Sequence, residues 1–396
     1  MFATIRAVIG GFLGGAAKLF LYLSAQCSKR PAYIPKAVVQ GTDPDGIAPV
    51  PNEQLFCPLP FENIEIHGGG LVHVCCTRWM PASIGNITDK TVQQVWNSAE
   101  AQKMRESVLD GSFKYCLREA CPFLHAAKGH VQKIGDLTDP RILAVIKNHT
   151  LTLPYGPKRI NCCFDRSCNL SCPSCRKKIF VDTGNKREIL ELQRKIQYEG
   201  ARDTEELFIE GSGDPLGSPF TREWLRSMKK ADMPKLKLIR LHTNGQLLTP
   251  EMWNTIPADI RELIQEMEIS IDAASPETYH INRRGGSFEI LLQNLSFIRE
   301  LRKSRALKYL TLSMVVQENN FREMPAFVSL SKQFHATCVY FNRLHNWAYS
   351  EDEFLCRAIH LPAHPRHSEL SLLLKSEVFK DPIVFLGNLT AVSREV

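Results

Sequence analysis

From Lys158 onward the chain repeats one pattern, a short run suited to a strand followed by a longer run suited to a helix. The candidate strands are residues 159–164, 206–210, 236–241, 266–271, 309–316 and 337–342. The helical stretches between them are residues 187–198, 221–230, 250–264, 288–302 and 324–334. Strands that alternate with helices pair in parallel through right-handed crossovers, which makes this part of the chain α/β. In such folds the chemistry sits beyond the C-terminal ends of the strands.

The rest of the chain divides around that unit. Residues 1–56 are an apolar segment followed by a linker rich in Pro, Gly and Asp. Residues 57–125 form a cysteine-rich α+β module, residues 126–156 a connector, residues 157–350 the repeating unit, and residues 351–396 a C-terminal extension. In the module, residues 61–66 alternate like a strand, Gly68-Gly69-Gly70 reads as a turn, and residues 71–74 as the returning strand. Residues 88–109 read as helix. The apolar run from Ala7 to Ala17, interrupted by Lys18 and resumed from Leu19 to Leu23, is short for a membrane span. A helix lying on a membrane surface, through residues 2–23, or on the protein itself is the first expectation there, an inserted anchor the second and a cleaved signal the last.

Composition narrows the function classes. With 49 basic and 42 acidic residues the net charge is +7, spread without a dense basic stripe, so nucleic acid is not an expected partner. The 13 cysteines carry more information. Most fall between 57 and 121 or between 162 and 175. Such clusters in a long chain point to metal or iron–sulfur ligation in a reducing compartment. The expected location is therefore cytoplasmic, peripheral to a membrane if the N-terminal segment binds one.

The sharpest motif is Cys168-Asn-Leu-Ser-Cys172-Pro-Ser-Cys175, directly after the first strand. Three thiolates at this spacing can hold three irons of a cubane and leave the fourth open to a ligand. The alternative is a structural zinc loop completed from elsewhere. On this motif and its place, the chain resembles the radical SAM superfamily, whose fold is a partial (β/α)6 barrel. Further segments follow that resemblance in order. Gly211-Ser212-Gly213-Asp214-Pro215 is similar to the family's GGEP segment, which meets the amino group of S-adenosylmethionine (SAM). Glycine suits that place because it lets backbone approach a ligand closely. Thr243 and Asn244 follow the third strand. Ser270 and Asp272 end the fourth, where the family meets the ribose, and Gln317 and Asn319 end the fifth near the nucleoside. Two departures from the family pattern are Ser174, where an aromatic residue is usual, and Ser212 and Asp214 in the GGEP segment.

The earlier cysteines resemble a SPASM or twitch module, a carrier of auxiliary iron–sulfur clusters that normally follows the barrel and here precedes it. The resemblance makes Cys57, Cys75, Cys116 and Cys121 the ligands. Cys76 is the alternative to Cys75, because adjacent residues on a strand point opposite ways. A four-cysteine zinc knuckle is the alternative for the whole module.

The resemblance implies the activity: a reduced [4Fe-4S] cluster cleaves SAM to a 5′-deoxyadenosyl radical, which abstracts hydrogen from a substrate. A peptide or protein is the first expectation for that substrate, and a carbohydrate or other small molecule the second. A low-potential donor such as flavodoxin or ferredoxin would supply the electron. A non-catalytic zinc or iron–sulfur protein is the alternative from another class.

Overall fold

The computed structural model describes residues 55–118, 121, 123–124, 130–200, 202–210, 212–390 and 392. The N-terminal segment, with its expected membrane contact, lies outside the described residues, and so does Gly211. In chain order the strands are β1 (Leu55–Phe56), β2 (Asn63–His67), β3 (Leu71–His73), β4 (Gly85–Asn86), β5 (Gln132–Lys133) and β6 (Arg159–Cys163). They continue with β7 (Glu206–Ile209), β8 (Leu238–Thr243), β9 (Ile264–Ser270), β10 (Tyr309–Val316), β11 (Cys338–Arg343) and β12 (Val384–Phe385). Strands β6 to β11 are parallel neighbours in sequence order, each step made through helix.

The two-residue alternation explains both faces of this sheet. Ile160, Leu207, Ile239, Leu241, Ile269, Leu312 and Phe341 are buried in one core with Leu192, Leu225, Leu295 and Phe327 of the flanking helices. Each such side chain contributes about 1.5–3 kcal/mol on leaving water. The residues between them, among them Asn161, Arg240, His242, Glu268, Ser270 and Ser313, share the opposite face.

The cysteine-rich module is part of the same sheet. Strand β2 pairs in parallel with β6, from Asn63 opposite Arg159 to His67 opposite Cys163. Strands β3 and β4 add antiparallel to it, and β12 extends the far side beyond β11, giving a ten-stranded sheet. The sheet curves far enough for its ends to meet, with the Arg78 guanidinium 5.6 Å from the centre of the Trp347 ring. Gly69 and Gly70 turn β2 into β3 at φ of 75° and 72°, and a Cβ on Gly70 would lie 2.7 Å from Thr88.

Several local expectations change. Phe61 and Glu62 belong to a helix, Leu59–Glu62, because Pro58 and Pro60 pre-set a first helical turn. The stretch 88–109 breaks into Val92–Trp96 and Ala99–Leu109, where Thr91 and Ser98 each cap a new start. The stretch 250–264 also divides, at Pro257, and its last residue, Ile264, opens β9.

Trp96, Asn97 and Arg105 of the module hold the connector through Tyr155 O, Leu153 and Leu151 O. Arg105 is fully buried and donates from Nε to Pro60 O, from Nη1 to Asn97 Oδ1 and Leu151 O, and from Nη2 to Trp96 O, at 2.6–3.0 Å. Burial pushes its guanidinium down to about 10. Arg105→Met would orphan these acceptors and is expected to lower stability by about 3 kcal/mol. The check is the urea midpoint at unchanged slope. Arg105→Lys, which lacks the planar fork, should restore only part.

Candidate active site

The three-cysteine loop leaves β6 at its C-terminal end and is tied down by its own backbone. Cys168 exchanges backbone hydrogen bonds with Phe180, at 2.8 and 3.3 Å. The amides of Cys175 and Arg176 both donate to Cys172 O at 2.9 Å, closing the turn between the second and third cysteines. Asp165, buried, accepts from the Ser167 amide and from the Ser218 and Thr221 hydroxyls. Arg176 reaches from Arg166 O at 2.6 Å to Ser212 O at 2.7 Å.

Polar donors face the sulfurs. The Leu170 amide lies 3.4 Å from Cys168 Sγ, Asn244 Nδ2 lies 4.0 Å from the same atom, and Arg283 Nη1 lies 3.8 Å from Cys172 Sγ. Cys168 and Cys172 are buried and Cys175 is exposed. Burial pushes the Cys168 thiol up to about 11 and raises that of Cys172, which Arg283 pulls back. Buried thiols with N–H donors aimed at them suit iron–thiolate bonding, since metal binding removes the proton and hydrogen bonds to sulfur tune a cluster.

The GGEP-like segment packs on this loop. A Cβ on Gly213 would lie 2.1 Å from Ser167 O, so the close approach that requires glycine is to the cysteine loop itself. Asp214 is a hub. Its amide donates to Ser167 O, Oδ1 accepts from the Leu216 and Gly217 amides, and Oδ2 accepts from Thr243 Oγ1 and the Asn244 amide. The Asp214 carboxylate and the Thr243 hydroxyl are thus spent on each other. Asn244 goes on to Asn169 Oδ1 at 2.9 Å. Ser212 Oγ donates to Cys163 O.

At the fourth and fifth strands Asp272 holds a φ of 61°, a conformation few side chains tolerate. Its Oδ1 accepts from the Val315 amide at 2.7 Å, and its Oδ2 lies 2.9 Å from Arg283 Nη2. Arg283 therefore joins Asp272 to Cys172. Gln317 accepts from Tyr349 OH at 3.2 Å, and Asn319 Nδ2 donates to Asn282. Asn319 Oδ1 and Arg283 Nε are buried without a partner, one acceptor and one donor left over beside the loop. They fit a polar cofactor such as SAM.

Ser270 faces elsewhere, into a polar cluster on the open face of the sheet. Its Oγ lies 2.7 Å from His242 Nε2 and 3.4 Å from Ser313 Oγ. His242 stands 3.8 Å from Glu210 and 3.6 Å from Glu268, Asn161 donates to Glu210, and Arg240 pairs with Glu268 at 3.0 Å. Burial pushes the Glu210 carboxyl up, but His242, Asn161 and Arg240 outweigh it and hold it at about 2. Burial likewise opposes charge on His242, yet Glu268 and Glu210 raise it. Of this cluster only Ser270 stands out in the sequence; Asn161, Glu210, Arg240, His242 and Glu268 do not. The signal for Arg240, His242 and Glu268 was polar residues at the alternate positions 240 and 242, and 266, 268 and 270.

These shifts set a pH window. The Glu210 contribution is present above its unfolded pKa of about 4.3 and is lost as pH falls toward the folded value. The His242 contribution is full below its unfolded pKa of about 6.5 and is lost as pH rises through the raised one. His242→Gln should therefore lower Tm most between those limits, at about pH 5–6, and less at about pH 9. Thermal unfolding of both proteins across pH checks this.

The module gathers its own four thiols. Cys57 feels Cys116 and Cys121, and Cys75 feels Cys57 and Cys121. Burial raises Cys76 as well, and the charged groups that act on it are Glu65, Arg78 and Glu210 rather than the other module thiols. The Leu124 amide lies 3.5 Å from Cys121 Sγ. Burial raises all of Cys57, Cys75 and Cys116, the last to about 11. Among the described residues no three His, Cys, Asp or Glu side chains are spaced to hold one metal ion. A cubane puts each thiolate on its own iron, so its ligands need not converge.

Two family models match the chain. That of the radical SAM superfamily matches residues 164–330, and that of the SPASM iron–sulfur cluster-binding domain matches residues 57–122. No curated protein matches. Among solved structures the chain is similar to TYW1 with a lysine-pyruvate adduct bound, at 17% identity over 55% of this chain and 71% of that one, TM-score 0.34. It is similar to Streptococcus suis SuiB bound to S-adenosylmethionine, at 11% identity over 65% of this chain and 56% of that one, TM-score 0.42. It is also similar to native anSMEcpe with bound AdoMet and Kp18Cys peptide, at 16% identity over 48% of this chain and 55% of that one, TM-score 0.32. The chain thus spans little more than half the length of two of these three.

Proposed function

Because this chain belongs to the radical SAM superfamily, as an enzyme with a SPASM domain ahead of its barrel, we propose that it modifies a peptide or protein by hydrogen abstraction. The observation that carries this reading is the cysteine loop at the mouth of an open polar sheet face, with Cys168 and Cys172 buried against N–H donors and Cys175 exposed. Cys168, Cys172 and Cys175 would hold the barrel cluster. Cys57, Cys75, Cys116 and Cys121 would hold the auxiliary one, with Cys75 preferred to Cys76 for its neighbours. When bound, the barrel cluster and SAM supply the one-electron chemistry that removes a hydrogen atom from substrate.

The chain's own residues do the rest. Asp214 locks the GGEP-like segment and the end of β8 to the cysteine loop. Arg283 offers a guanidinium to Cys172 Sγ and fixes Asp272. Asn319 Oδ1 and Arg283 Nε are the free polar atoms left for SAM. The Glu210–His242–Ser270 cluster lines the open face, where it would hold polar groups of the substrate. Gly211, which falls outside the described residues, keeps its expected place in the SAM-contacting segment.

A low-potential flavodoxin or ferredoxin is the proposed electron donor. A cytoplasmic site is proposed on the strength of the unpaired thiol clusters, which suit a reducing compartment. No helix among the described residues is long and apolar enough to cross a membrane. Contact of residues 2–23 with a membrane surface stays a proposal.

The SPASM domain favours a peptide substrate, since such modules often accompany peptide modification. The substrate class is tested by anaerobic incubation with SAM and dithionite, adding either a peptide pool or a pool of oligosaccharides. The peptide pool is expected to raise 5′-deoxyadenosine release above the substrate-free rate. Stimulation by the sugars alone would establish the second reading, a carbohydrate or other small molecule.

A further inference from the structure

The two ends of the curved sheet meet at a pair of arginines. Arg78 follows the cysteine pair of the module, and Arg343 ends β11. Both side chains are exposed, and neither has a carboxylate partner among the described residues. They are close enough that Arg78 adds to burial in lowering the Arg343 pKa. The Arg343 amide is fixed by Asn388 Oδ1 at 2.8 Å. Trp347, 66% exposed, lies against Arg78 and stands edge-on to His345 at 6.5 Å. Behind them His360 Nδ1 is buried without a partner.

The titratable groups that act on Arg343, His345 and His360 here are arginines and histidines, with no carboxylate among them. Burial, then Arg78 and Arg343, push His345 down to about 4. Burial, then Arg343 and His345, push His360 to about 3. Two unpaired guanidinium groups held together repel each other, and an anion between them relieves that cost. Arginine beside an exposed tryptophan is also the composition of binding hot spots. Guanidinium forks recognise carboxylates in planar, two-point fashion.

We infer that Arg78, Arg343 and Trp347 form a carboxylate-binding clasp at the mouth of the barrel, and that the peptide substrate carries an acidic group that docks there. The inference rests on the peptide reading above and gives that substrate its chemistry. A Glu or Asp side chain and a C-terminal carboxylate are two sources of the same group.

The test is calorimetric titration of the full-length protein, without SAM, using three synthetic probes. The first is an N-acetylated, C-amidated peptide of alternating Ala and Glu. The second is the same peptide with Gln for Glu. The third is the Gln peptide with a free C-terminus. The Glu peptide or the free-carboxylate peptide should bind at least about tenfold more tightly than the amidated Gln peptide, the scale of one charge-assisted hydrogen bond. Which of the two gains identifies the source. R78Q and R343Q should each remove that gain, R343K should keep part of it, and charge reversal at the remote Lys229 and Lys230 should leave it intact. Equal binding of all three peptides would overturn the clasp, as would an equal loss in the Lys229 and Lys230 variants. Binding does not depend on SAM cleavage, so a failed clasp leaves the hydrogen-abstraction reading standing, and an inactive enzyme leaves the clasp measurable.

Discussion

Replacing Cys168, Cys172 and Cys175 together by alanine is expected to reduce 5′-deoxyadenosine release under dithionite to background while the module keeps its iron. The loop is held by contacts that do not involve the sulfurs: the Cys168–Phe180 backbone pair, the Asp165 hydrogen bonds and the span of Arg176. The variant should therefore fold, and circular dichroism should overlay that of the wild type. Release at the wild-type rate would mean that SAM is cleaved elsewhere or not at this loop.

Gly213→Val should have the second largest effect, and a different one from what the sequence alone implies. Read as a SAM contact, Gly213 would lose only SAM affinity on gaining a side chain. In the structure its missing side chain faces Ser167 O at 2.1 Å, and the neighbouring Asp214 amide bonds that same carbonyl at 2.7 Å. Valine must drive the GGEP-like segment and the cysteine loop apart and break the Asp214 hub with them. The cost is about 3 kcal/mol, as for an overpacked core. Iron at the barrel site should fall along with SAM cleavage. Iron per chain and Tm together check this. Full iron with weakened SAM binding would restore the simpler reading.

The comparison of these two positions shows what sequence can carry. The α/β class was legible because strand and helix periods differ, and the six parallel strands stand within a few residues of where the pattern put them. The cysteine loop was legible because its three thiols are close neighbours in sequence. Pairing between distant polar residues was not. Asp214 and Thr243 each read as strand-end groups free for a ligand, and only the fold brings them together at 2.8 Å. Nor does sequence show that β2 joins β6, so the module reads as a separate bead although it continues the barrel sheet. The choice between Cys75 and Cys76 turns on where each thiol points just beyond β3, which sequence does not state. His242, Glu210 and Glu268 were visible only as polar letters in apolar strands, a pattern every half-buried strand shares.

The central claim is that one chain holds two iron–sulfur sites, and that only the one at Cys168, Cys172 and Cys175 has an iron open to SAM. Electron paramagnetic resonance of the anaerobically purified, dithionite-reduced protein tests it most directly, recorded with and without SAM. The account predicts two cluster signals. One should change on adding SAM and disappear in Cys172→Ala. The other should ignore SAM and disappear in Cys121→Ala. A spectrum in which SAM changes nothing, or changes only the signal lost in Cys121→Ala, would contradict it.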